Sequence, residues 1–177
     1  MIDVAPSPVI VTERLRLRAP KLADVQRMAL LADDPGVGRM TARMPFPYAI
    51  ADAEAFVDRV RDGDPGREQV FAVERRGEGL IGMTGFHSGD FGRSELGYWF
   101  GRPYWGKGYA TETVKAALAW ARDAWGRRMI VAGHFADNPA SGEVLIKAGF
   151  LYTGEVQRRW ATARSAIVPT RMMIWLA

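Results

Sequence analysis

One stretch of the sequence, residues 99–112, joins the end of a strand to a glycine-bearing turn and the start of a helix. It reads WFGRPYWGKGYATE. After this turn, apolar residues recur at helical spacing in one stripe, formed by Ala110, Val114, Ala117, Leu118, Ala121 and Trp125. Such a turn presents unpaired backbone N–H groups to one point, with the positive end of the helix dipole behind them. The stretch therefore predicts an anion site, most naturally for phosphate.

A second interpretation of this turn stays open, because Gly106 and Gly108 could be present only for their backbone torsions. Two familiar nucleotide motifs are excluded. The dinucleotide motif G-x-G-x-x-G needs a glycine where this chain has Thr111. The Walker motif needs Ser or Thr after its lysine, whereas Gly108 follows Lys107 here. The turn matches neither motif.

Length and composition indicate one globular domain that spans residues 1–177. Hydrophobic residues make up 48% of the chain and charged residues 25%, which is typical of a soluble protein. No apolar run could span a bilayer and no signal-peptide pattern opens the chain, so a cytoplasmic location without membrane contact is expected. The chain has no cysteine and two histidines, His87 and His134, which excludes disulfides and Cys- or His-rich metal sites. We therefore expect no metal.

The positive charge lies in the last third of the chain. Residues 127–177 hold seven basic side chains against three acidic ones, and this excess equals the whole net charge of +4. Such a region suits an anionic ligand, but it is equally typical of a solvated face. A nucleic-acid-binding protein would usually show a denser basic stripe with interleaved aromatic residues. Nucleic acid is therefore not the expected partner.

In the first third of the chain, the sequence predicts a strand, two helices and an irregular segment. Val9–Arg18 alternates apolar and polar residues as a half-exposed strand does. Apolar residues at helical spacing predict a helix over Leu22–Ala32. Arg39–Tyr48 has two prolines and is predicted to be irregular. A second helix follows, with Asp52 as its expected N-cap, and Gly63 closes it.

The rest of the chain predicts a meander of strands, the central helix, and a further strand–helix–strand–strand series. The predicted strands are Gln69–Glu74, Leu80–His87, Ser94–Phe100, Met129–Phe135, Phe150–Val156 and Ala166–Leu176. Short glycine-bearing segments join the first three, which favours antiparallel pairing. Asn138 and Pro139 are a favoured N-cap and first residue of a short helix, which ends at Lys147 before Gly149.

Several groups of residues along the chain occur together in one known family. They are Glu95–Trp99 (ELGYW), Tyr104–Glu112 (YWGKGYATE), Asp137–Ser141 (DNPAS) and Lys147–Phe150 (KAGF). In this order they resemble the GNAT family of acetyl-CoA-dependent N-acetyltransferases. The match is to the branch that contains the ribosomal-protein N-terminal acetyltransferases, which the TERLxLR pattern of residues 12–18 also resembles. The resemblance thus covers nearly the whole chain.

The resemblance implies an α+β fold, in which helices cover both faces of a mostly antiparallel sheet of about seven strands. The fourth and fifth strands would splay apart and admit the pantetheine arm of acetyl-CoA, the implied acetyl donor. Tyr98, Trp99 and Phe100 would offer backbone groups to pantetheine. The backbone amides of six residues would hold the pyrophosphate, namely Trp105, Gly106, Lys107, Gly108, Tyr109 and Ala110. The wider family has Gln or Arg in place of Trp105, but the amides matter more than that side chain.

Asn138 and Ser141 have two interpretations each. The sequence alone explains Asn138 as an N-cap and Ser141 as a residue that satisfies nearby backbone groups. The resemblance implies that both contact CoA, and that Ser141 is a catalytic residue that protonates the leaving thiolate. Many family members have a tyrosine acid where this chain has Leu145, which cannot donate a proton.

Other family members place a glutamate base on the fifth strand. This chain has Ala-Gly-His there, at residues 132–134, so its general base must be another group. We predict Glu95, on the fourth strand, as the catalytic base or water-positioning group. It could instead pair with an arginine such as Arg93 or Arg102 and be structural. His134 is the second candidate, although a hydrogen-bonded, half-buried ring is its more common role. His87 lies close to a loop and is expected at the surface.

The chemistry of direct attack on a thioester favours a weakly basic acceptor. A terminal α-amine, with a pKa near 7.7–8.0, is roughly a tenth neutral at pH 7, whereas lysine, near 10.4, is neutral in only about one part in several thousand. A site without an obvious strong base therefore suits an α-amine, such as a protein N-terminus, or another weakly basic amine. The resemblance implies that residues 39–48 and 157–165 line the acceptor groove. A lysine, polyamine or drug amine, a non-catalytic CoA-binding module, and a monomer or a homodimer all remain open at this point.

Overall fold

The described residues, 8–89 and 92–177 of a computed structural model, contain eight strands in a single sheet. The strands are β1 (Ile10–Val11), β2 (Leu15–Arg18), β3 (Gln69–Arg75), β4 (Gly79–Ser88), β5 (Ser94–Phe100), β6 (Met129–Phe135), β7 (Leu151–Ala161) and β8 (Ala166–Leu176). Their order across the sheet is β1-β2-β3-β4-β5-β6-β8-β7. Neighbours are antiparallel except for the parallel pair β5–β6. The predicted mostly antiparallel α+β sheet is confirmed.

The sheet has one strand more than expected, because the predicted strand Val9–Arg18 is a hairpin. The chain reverses between β1 and β2, and the hydroxyl of Thr12 accepts a hydrogen bond from the N–H of Leu15 at 3.0 Å within this reversal. The predicted end of β7 at Val156 is also too early. This strand continues to Ala161, which pairs with Ala166 of β8, so the two strands form a long hairpin.

Five α-helices of the described residues accompany the sheet. They are α1 (Val25–Ala32), α2 (Pro35–Gly38), α3 (Ile50–Arg61), α4 (Tyr109–Asp123) and α5 (Pro139–Lys147). The prediction that Asp52 caps α3 is wrong: Ala49 is the N-cap, and the Asp52 carboxylate, in the first turn, accepts a hydrogen bond from the Ala49 N–H at 2.8 Å. No helix in the described ranges is long and apolar enough to cross a bilayer.

The helices bury two separate apolar clusters, one on each face of the sheet. Successive residues of a strand point to opposite faces. In β4, Phe86 belongs to the cluster with α4 and α5 and Met83 to the cluster with α1 and α3. A bulge at Ile81 shifts the alternation by one residue, so Ile81 joins Phe86 and Leu80 joins Met83. The predicted stripe of α4 is buried from Val114 to Ala121, although Trp125 lies beyond the end of that helix. Each fully buried Val or Leu side chain stabilises the fold by about 1.5–3 kcal/mol.

The parallel pair β5–β6 diverges after a short contact. Its pairing runs only from Ser94 with Ile130 to Leu96 with Ala132, although β5 continues to Phe100 and β6 to Phe135. These are the strands that the resemblance makes the fourth and fifth of the family sheet. The predicted splay is therefore present, and it opens at residues 97 and 133.

Candidate active site

The turn between β5 and α4 presents a run of unbonded backbone amides. The N–H groups of residues 106–111 donate no hydrogen bond to any described residue, and the first bond of α4 runs from the Glu112 N–H to the Gly108 carbonyl at 3.1 Å. Gly106 and Gly108 have φ of 71° and 79°, and a Cβ on Gly106 would meet no atom within 4 Å. The turn therefore combines glycine torsions with open space in front of helix-terminal N–H groups, which is the arrangement that binds phosphate.

The unbonded amides of the turn differ by one residue from the set predicted from the sequence. The N–H of Trp105 donates to the Arg102 carbonyl at 3.2 Å within a short 3-10 turn, so this amide is engaged. At the other end, the N–H of Thr111 is unbonded because it lies in the first turn of α4. The amides available to a pyrophosphate are therefore those of residues 106–111 rather than 105–110.

Two side chains of this turn donate hydrogen bonds to nearby backbone carbonyls. The indole N–H of Trp105 donates to the Phe100 carbonyl at 2.6 Å, and the Lys107 ammonium donates to the Pro103 carbonyl at 2.7 Å. Phe100 itself is buried in the core. Of the three residues predicted to offer backbone groups to pantetheine, Phe100 thus has its carbonyl engaged, whereas Tyr98 and Trp99 lie along the diverged edge of β5.

The sequence did not predict the hydrogen bonds that the β1–β2 segment makes with this turn and with the start of α4. Glu112, in the first turn of α4, accepts hydrogen bonds from the Thr12 hydroxyl at 2.6 Å and from Arg14 Nε at 2.7 Å. Arg14 also donates to the Lys107 carbonyl at 3.0 Å. Burial by itself would raise the pKa of Glu112, but the hydrogen bonds from Thr12 and Arg14 outweigh it and lower the pKa. The only sequence signal was the joint occurrence of the TERLxLR and YWGKGYATE motifs.

A cavity of about 950 Å³ opens where β5 and β6 diverge. Its walls come from β4, β5, β6 and α5, and from residues 40–44 and 157–160. The two segments predicted to line the acceptor groove, residues 39–48 and 157–165, therefore both contribute to this cavity.

At the α5 side of the cavity, a tyrosine of β5 meets the serine of the N-x-x-S motif. The Tyr98 hydroxyl lies 2.8 Å from Ser141 Oγ, and either group can be the donor. Asn138 caps α5, as predicted, because its side-chain oxygen accepts from the Ser141 N–H at 3.3 Å. Burial raises the pKa of Tyr98 to about 12, so this hydroxyl keeps its proton at neutral pH. Tyr98 and Asn138 thus both contact Ser141, Tyr98 at its hydroxyl and carbonyl and Asn138 at its backbone N–H.

Glu95 is buried and forms an ion pair, but with neither of the arginines considered from the sequence. Both of its carboxylate oxygens accept hydrogen bonds from Arg159 of β7, with Nη2 at 3.1 Å from Oε2. Arg102 instead pairs with Asp34 at 2.7 Å. Gln157 also accepts a hydrogen bond from Arg159, at 2.7 Å, and so fixes the guanidinium in place. Pairing across 64 residues of chain has no local signal in the sequence.

His134 is a hydrogen-bonded core histidine. Its Nδ1 lies 2.9 Å from the Phe135 carbonyl, which can only accept, so Nδ1 carries the proton. Its Nε2 then accepts from the Tyr152 hydroxyl at 2.9 Å. A Cβ on Gly142 of α5 would lie 2.8 Å from Nε2, so glycine is required for this close packing. Both ring nitrogens are occupied, which agrees with the structural interpretation of this residue.

His87, by contrast, was wrongly predicted to lie on the surface. β4 continues to Ser88, so His87 belongs to the sheet, directly opposite Glu95 of β5. It is half-buried and lines the cavity. Burial lowers the pKa of His87, and the positive charge of Arg43 lowers it further. The sequence predicted the strand as far as His87, but the glycine-bearing loop that follows suggested that this side chain is exposed.

Leu145, which stands in place of the family's tyrosine acid, is buried in the core on the α4 side. Across the residues that the structure describes, no three His, Asp or Glu side chains are grouped so that they could hold a metal ion.

Comparison with known proteins agrees with this geometry. A family model described as an acetyltransferase (GNAT) domain matches residues 14–151. The uncharacterized N-acetyltransferase YoaA of Bacillus subtilis (strain 168) is 34% identical over 157 residues, covering 85% of this chain and 87% of YoaA.

Solved structures show the same fold. The microcin C7 self-immunity acetyltransferase MccE, in complex with acetyl-CoA and AMP, has a TM-score of 0.83 at 18% identity and covers 100% of each chain. RimJ of Mycobacterium smegmatis, in complex with CoA-disulfide, has a TM-score of 0.80 at 22% identity and covers 96% of this chain and 86% of RimJ. From the splayed sheet, the amide-lined turn and the matching family domain, we conclude that this chain belongs to the GNAT family of acetyltransferases.

Proposed function

We propose that this acetyltransferase moves an acetyl group from acetyl-CoA to a primary amine by direct attack, and that its acceptor is an N-terminal α-amine of a protein or peptide. The observation that carries the choice of acceptor is the charge of the cavity wall. The chain would work in the cytoplasm, where its donor is available.

Ion pairing leaves the cavity wall with an excess of positive charge. Both of its carboxylates are paired, Glu68 with Arg59 at 2.8 Å and Glu95 with Arg159. Two further arginines of the wall, Arg43 and Arg158, form no ion pair within the described ranges. A polycationic acceptor would be repelled by such a wall, whereas an acceptor that binds as a neutral amine is not. An α-amine is neutral far more often than a lysine amine at pH 7, which favours it here.

The donor site fits the phosphate and pantetheine parts of CoA. When bound, acetyl-CoA supplies an acetyl group already activated as a thioester. The six unbonded amides of residues 106–111 would hold the pyrophosphate. Tyr98 and Trp99 would present the edge of β5 to the pantetheine arm, and Asn138 and Ser141 would contact it from α5.

Ser141 is proposed to protonate the leaving thiolate, with Tyr98 as its partner. The Tyr98 hydroxyl is protonated at neutral pH and lies 2.8 Å from Ser141 Oγ. The Tyr98 proton is within reach of both Ser141 Oγ and the Ser141 carbonyl, the latter at 3.1 Å. When Tyr98 donates to Oγ, the Ser141 proton is free to point toward the sulfur. This pair would supply the proton that Leu145 cannot.

Glu95 is proposed as a positioning residue rather than as the proton acceptor itself. Both of its oxygens are bound by Arg159, so a proton on Glu95 would disrupt that ion pair. In this role the carboxylate holds Arg159 and Gln157 at the mouth of the cavity, where an acceptor peptide would enter.

The test is a comparison of acceptors by mass spectrometry under equal conditions. We expect a peptide with a free N-terminus and no lysine to be acetylated faster than a lysine peptide with a blocked N-terminus, and much faster than spermidine. A preference for spermidine would contradict the argument from charge. Binding of acetyl-CoA without acetylation of any primary amine would contradict the proposed function itself.

A further inference from the structure

We propose that His87 is the general base of the reaction and accepts the proton of the attacking amine, directly or through one water. This inference rests on the proposed function, because it assigns a residue to the transfer of an acetyl group to an amine. It adds a catalytic residue that the sequence motifs do not include.

Hydrogen bonding makes the other two candidates less suited to this role. Glu95 has both carboxylate oxygens bound by Arg159. His134 uses Nδ1 and Nε2 on the Phe135 carbonyl and the Tyr152 hydroxyl, at 2.9 Å each. In contrast, no residue of the described ranges forms a hydrogen bond with either ring nitrogen of His87. Among these three candidates, His87 is therefore the one that lines the cavity with both ring nitrogens unbonded in the described ranges.

The position of the ring also suits this role. The sheet register places His87 of β4 opposite Glu95 of β5, one residue before the pairing of β5 with β6 ends at Leu96. The ring then leans toward Gly97, where the splay opens: a Cβ built on Gly97 would lie 4.0 Å from His87 Cε1. Because residue 97 is glycine, no side chain stands there between the imidazole and the opening. The imidazole therefore borders the gap that receives the acetyl group.

The charges around His87 keep it neutral. Burial is the largest influence and lowers its pKa, and Arg43, from the segment between α2 and α3, lowers it again. Glu95 of β5 and Glu68, just before β3, act in the opposite direction, while Arg159 of β7 lowers the pKa further. The net effect is a pKa below the usual value for histidine, so most of the rings carry a free lone pair at pH 7.

The proposed step balances as follows. The neutral amine nitrogen forms a bond to the acetyl carbonyl carbon, and the carbonyl oxygen takes the electron pair of its π bond. The nitrogen becomes positively charged and loses a proton to the imidazole of His87. The oxygen then re-forms the carbonyl π bond with its electron pair, and the carbon–sulfur bond breaks. The thiolate leaves with the electron pair of that bond and takes up the proton of the Ser141 hydroxyl. The imidazolium releases its proton to solvent, which reprotonates the serine.

The kinetic test uses His87→Gln with an N-terminal peptide as acceptor. The profile of kcat/KM for the peptide should report two groups, the α-amine with a pKa near 7.7–8.0 and His87 at a lower pH. For the wild-type enzyme, log(kcat/KM) should therefore rise with slope 2 at acidic pH and with slope 1 between the two pKa values. For His87→Gln the slope should be 1 over the whole range below the pKa of the α-amine, and kcat should fall by about 10²-fold or more. The KM for acetyl-CoA should change less than twofold.

Rescue and titration provide readouts that a purely structural role would not affect. Added imidazole should restore part of the activity of His87→Ala, because the vacated space opens to the cavity, and should leave the wild type unchanged. Since the chain has only two histidines, NMR of the imidazole rings gives two sets of signals, and the set missing from His87→Gln belongs to His87. In the protein without ligands, this set should titrate below pH 6.5.

The matched control is Glu54→Gln, an exposed position of α3 outside the cavity wall, which should retain wild-type kinetics. If the wild type acetylates peptides and His87→Gln keeps its slope of 2 and its kcat, the role of His87 is refuted while the proposed function stands. A His87 signal that titrates above 6.5, or no rescue of His87→Ala by imidazole, would also count against it. If the wild type acetylates no amine, the proposed function fails, and the role of His87 fails with it.

Discussion

A valine at Gly108 should abolish acetyl-CoA binding while the protein still folds. Gly108 has φ of 79°, and Gly77, in the turn between β3 and β4, has φ of 78°. A Cβ on Gly77 would meet no atom within 4 Å, and one on Gly108 would meet only Arg14 Nη2, at 3.4 Å. Gly77→Val is therefore a matched control, since it introduces the same backbone strain at a residue outside the run of unbonded amides.

The two variants should lose similar stability. A non-glycine residue in this left-handed conformation costs about 1–2 kcal/mol. For a chain of this size each kcal/mol shifts the midpoint of thermal unfolding by roughly 2–4 °C, so both midpoints should fall by about 2–8 °C. Only Gly108→Val places a β-branched side chain among the amides of residues 106–111.

Binding should separate the two variants clearly. Loss of two charge-assisted hydrogen bonds, at about 1.5–3 kcal/mol each, weakens binding by roughly 10²–10⁴-fold. At a concentration of 100 Kd, acetyl-CoA stabilises the wild type by about 2.7 kcal/mol, or roughly 5–11 °C. Gly77→Val should keep this shift, and Gly108→Val should show less than about 2 °C. Thermal scans with and without ligand, supported by calorimetric titration, measure both effects. Equal loss of binding in the two variants would refute the proposal that the amides of residues 106–111 hold the pyrophosphate.

Three further changes test other parts of the site. Lys107→Ala should weaken acetyl-CoA binding by less than about tenfold in calorimetry, because its ammonium contacts the Pro103 carbonyl and offers only screened charge to a ligand. Ser141→Ala should lower kcat by about 10²-fold with an unchanged KM for acetyl-CoA; a raised KM with normal kcat would mean that Ser141 only binds the cofactor. Asp34→Asn tests pH dependence, since the hydrogen bond from Arg102 lowers the pKa of Asp34 to about 2. The folded-state pKa lies below the unfolded one, so the ion pair stabilises the fold above about pH 4 and loses this contribution as the pH falls toward 2. Urea unfolding should therefore show wild type and variant converging at pH 2.

Local patterns predicted most of the fold. The ends of β5, β6 and β8 agree with the sequence to the residue, because their apolar runs and the flanking turns mark them. The cap at Asn138 was also predictable, since Asn-Pro satisfies the start of a helix by itself. The hairpin of β1 and β2 was not, because its two short strands and the reversal between them share one alternating pattern.

The candidate site could be predicted only where its chemistry is local. The turn between β5 and α4 is continuous in sequence, so its glycines and amides were recognisable. The predicted set of amides differs only at its ends, because the 3-10 turn at Arg102–Tyr104 engages the N–H of Trp105. The general base could not be predicted in this way, because the pairing of Glu95 depends on Arg159, a residue of a distant strand. Burial and pairing of that kind follow from the register of β4, β5 and β7 and not from the neighbouring residues.

Two distant motifs of this chain depend on each other in the structure. Glu112 lies at the start of α4, where a carboxylate favours the helix but would repel a pyrophosphate at the same amides. Arg14 approaches this carboxylate at 2.7 Å, and its backbone N–H and the Thr12 hydroxyl donate to the other oxygen at 3.0 and 2.6 Å. Glu112 is thereby neutralised by the T-x-R segment, which also holds the Lys107 carbonyl. A chain that kept Glu112 without Arg14 would place an uncompensated negative charge beside its anion site. The TERLxLR and YWGKGYATE motifs are thus two halves of one structure, joined by hydrogen bonds across about 100 residues.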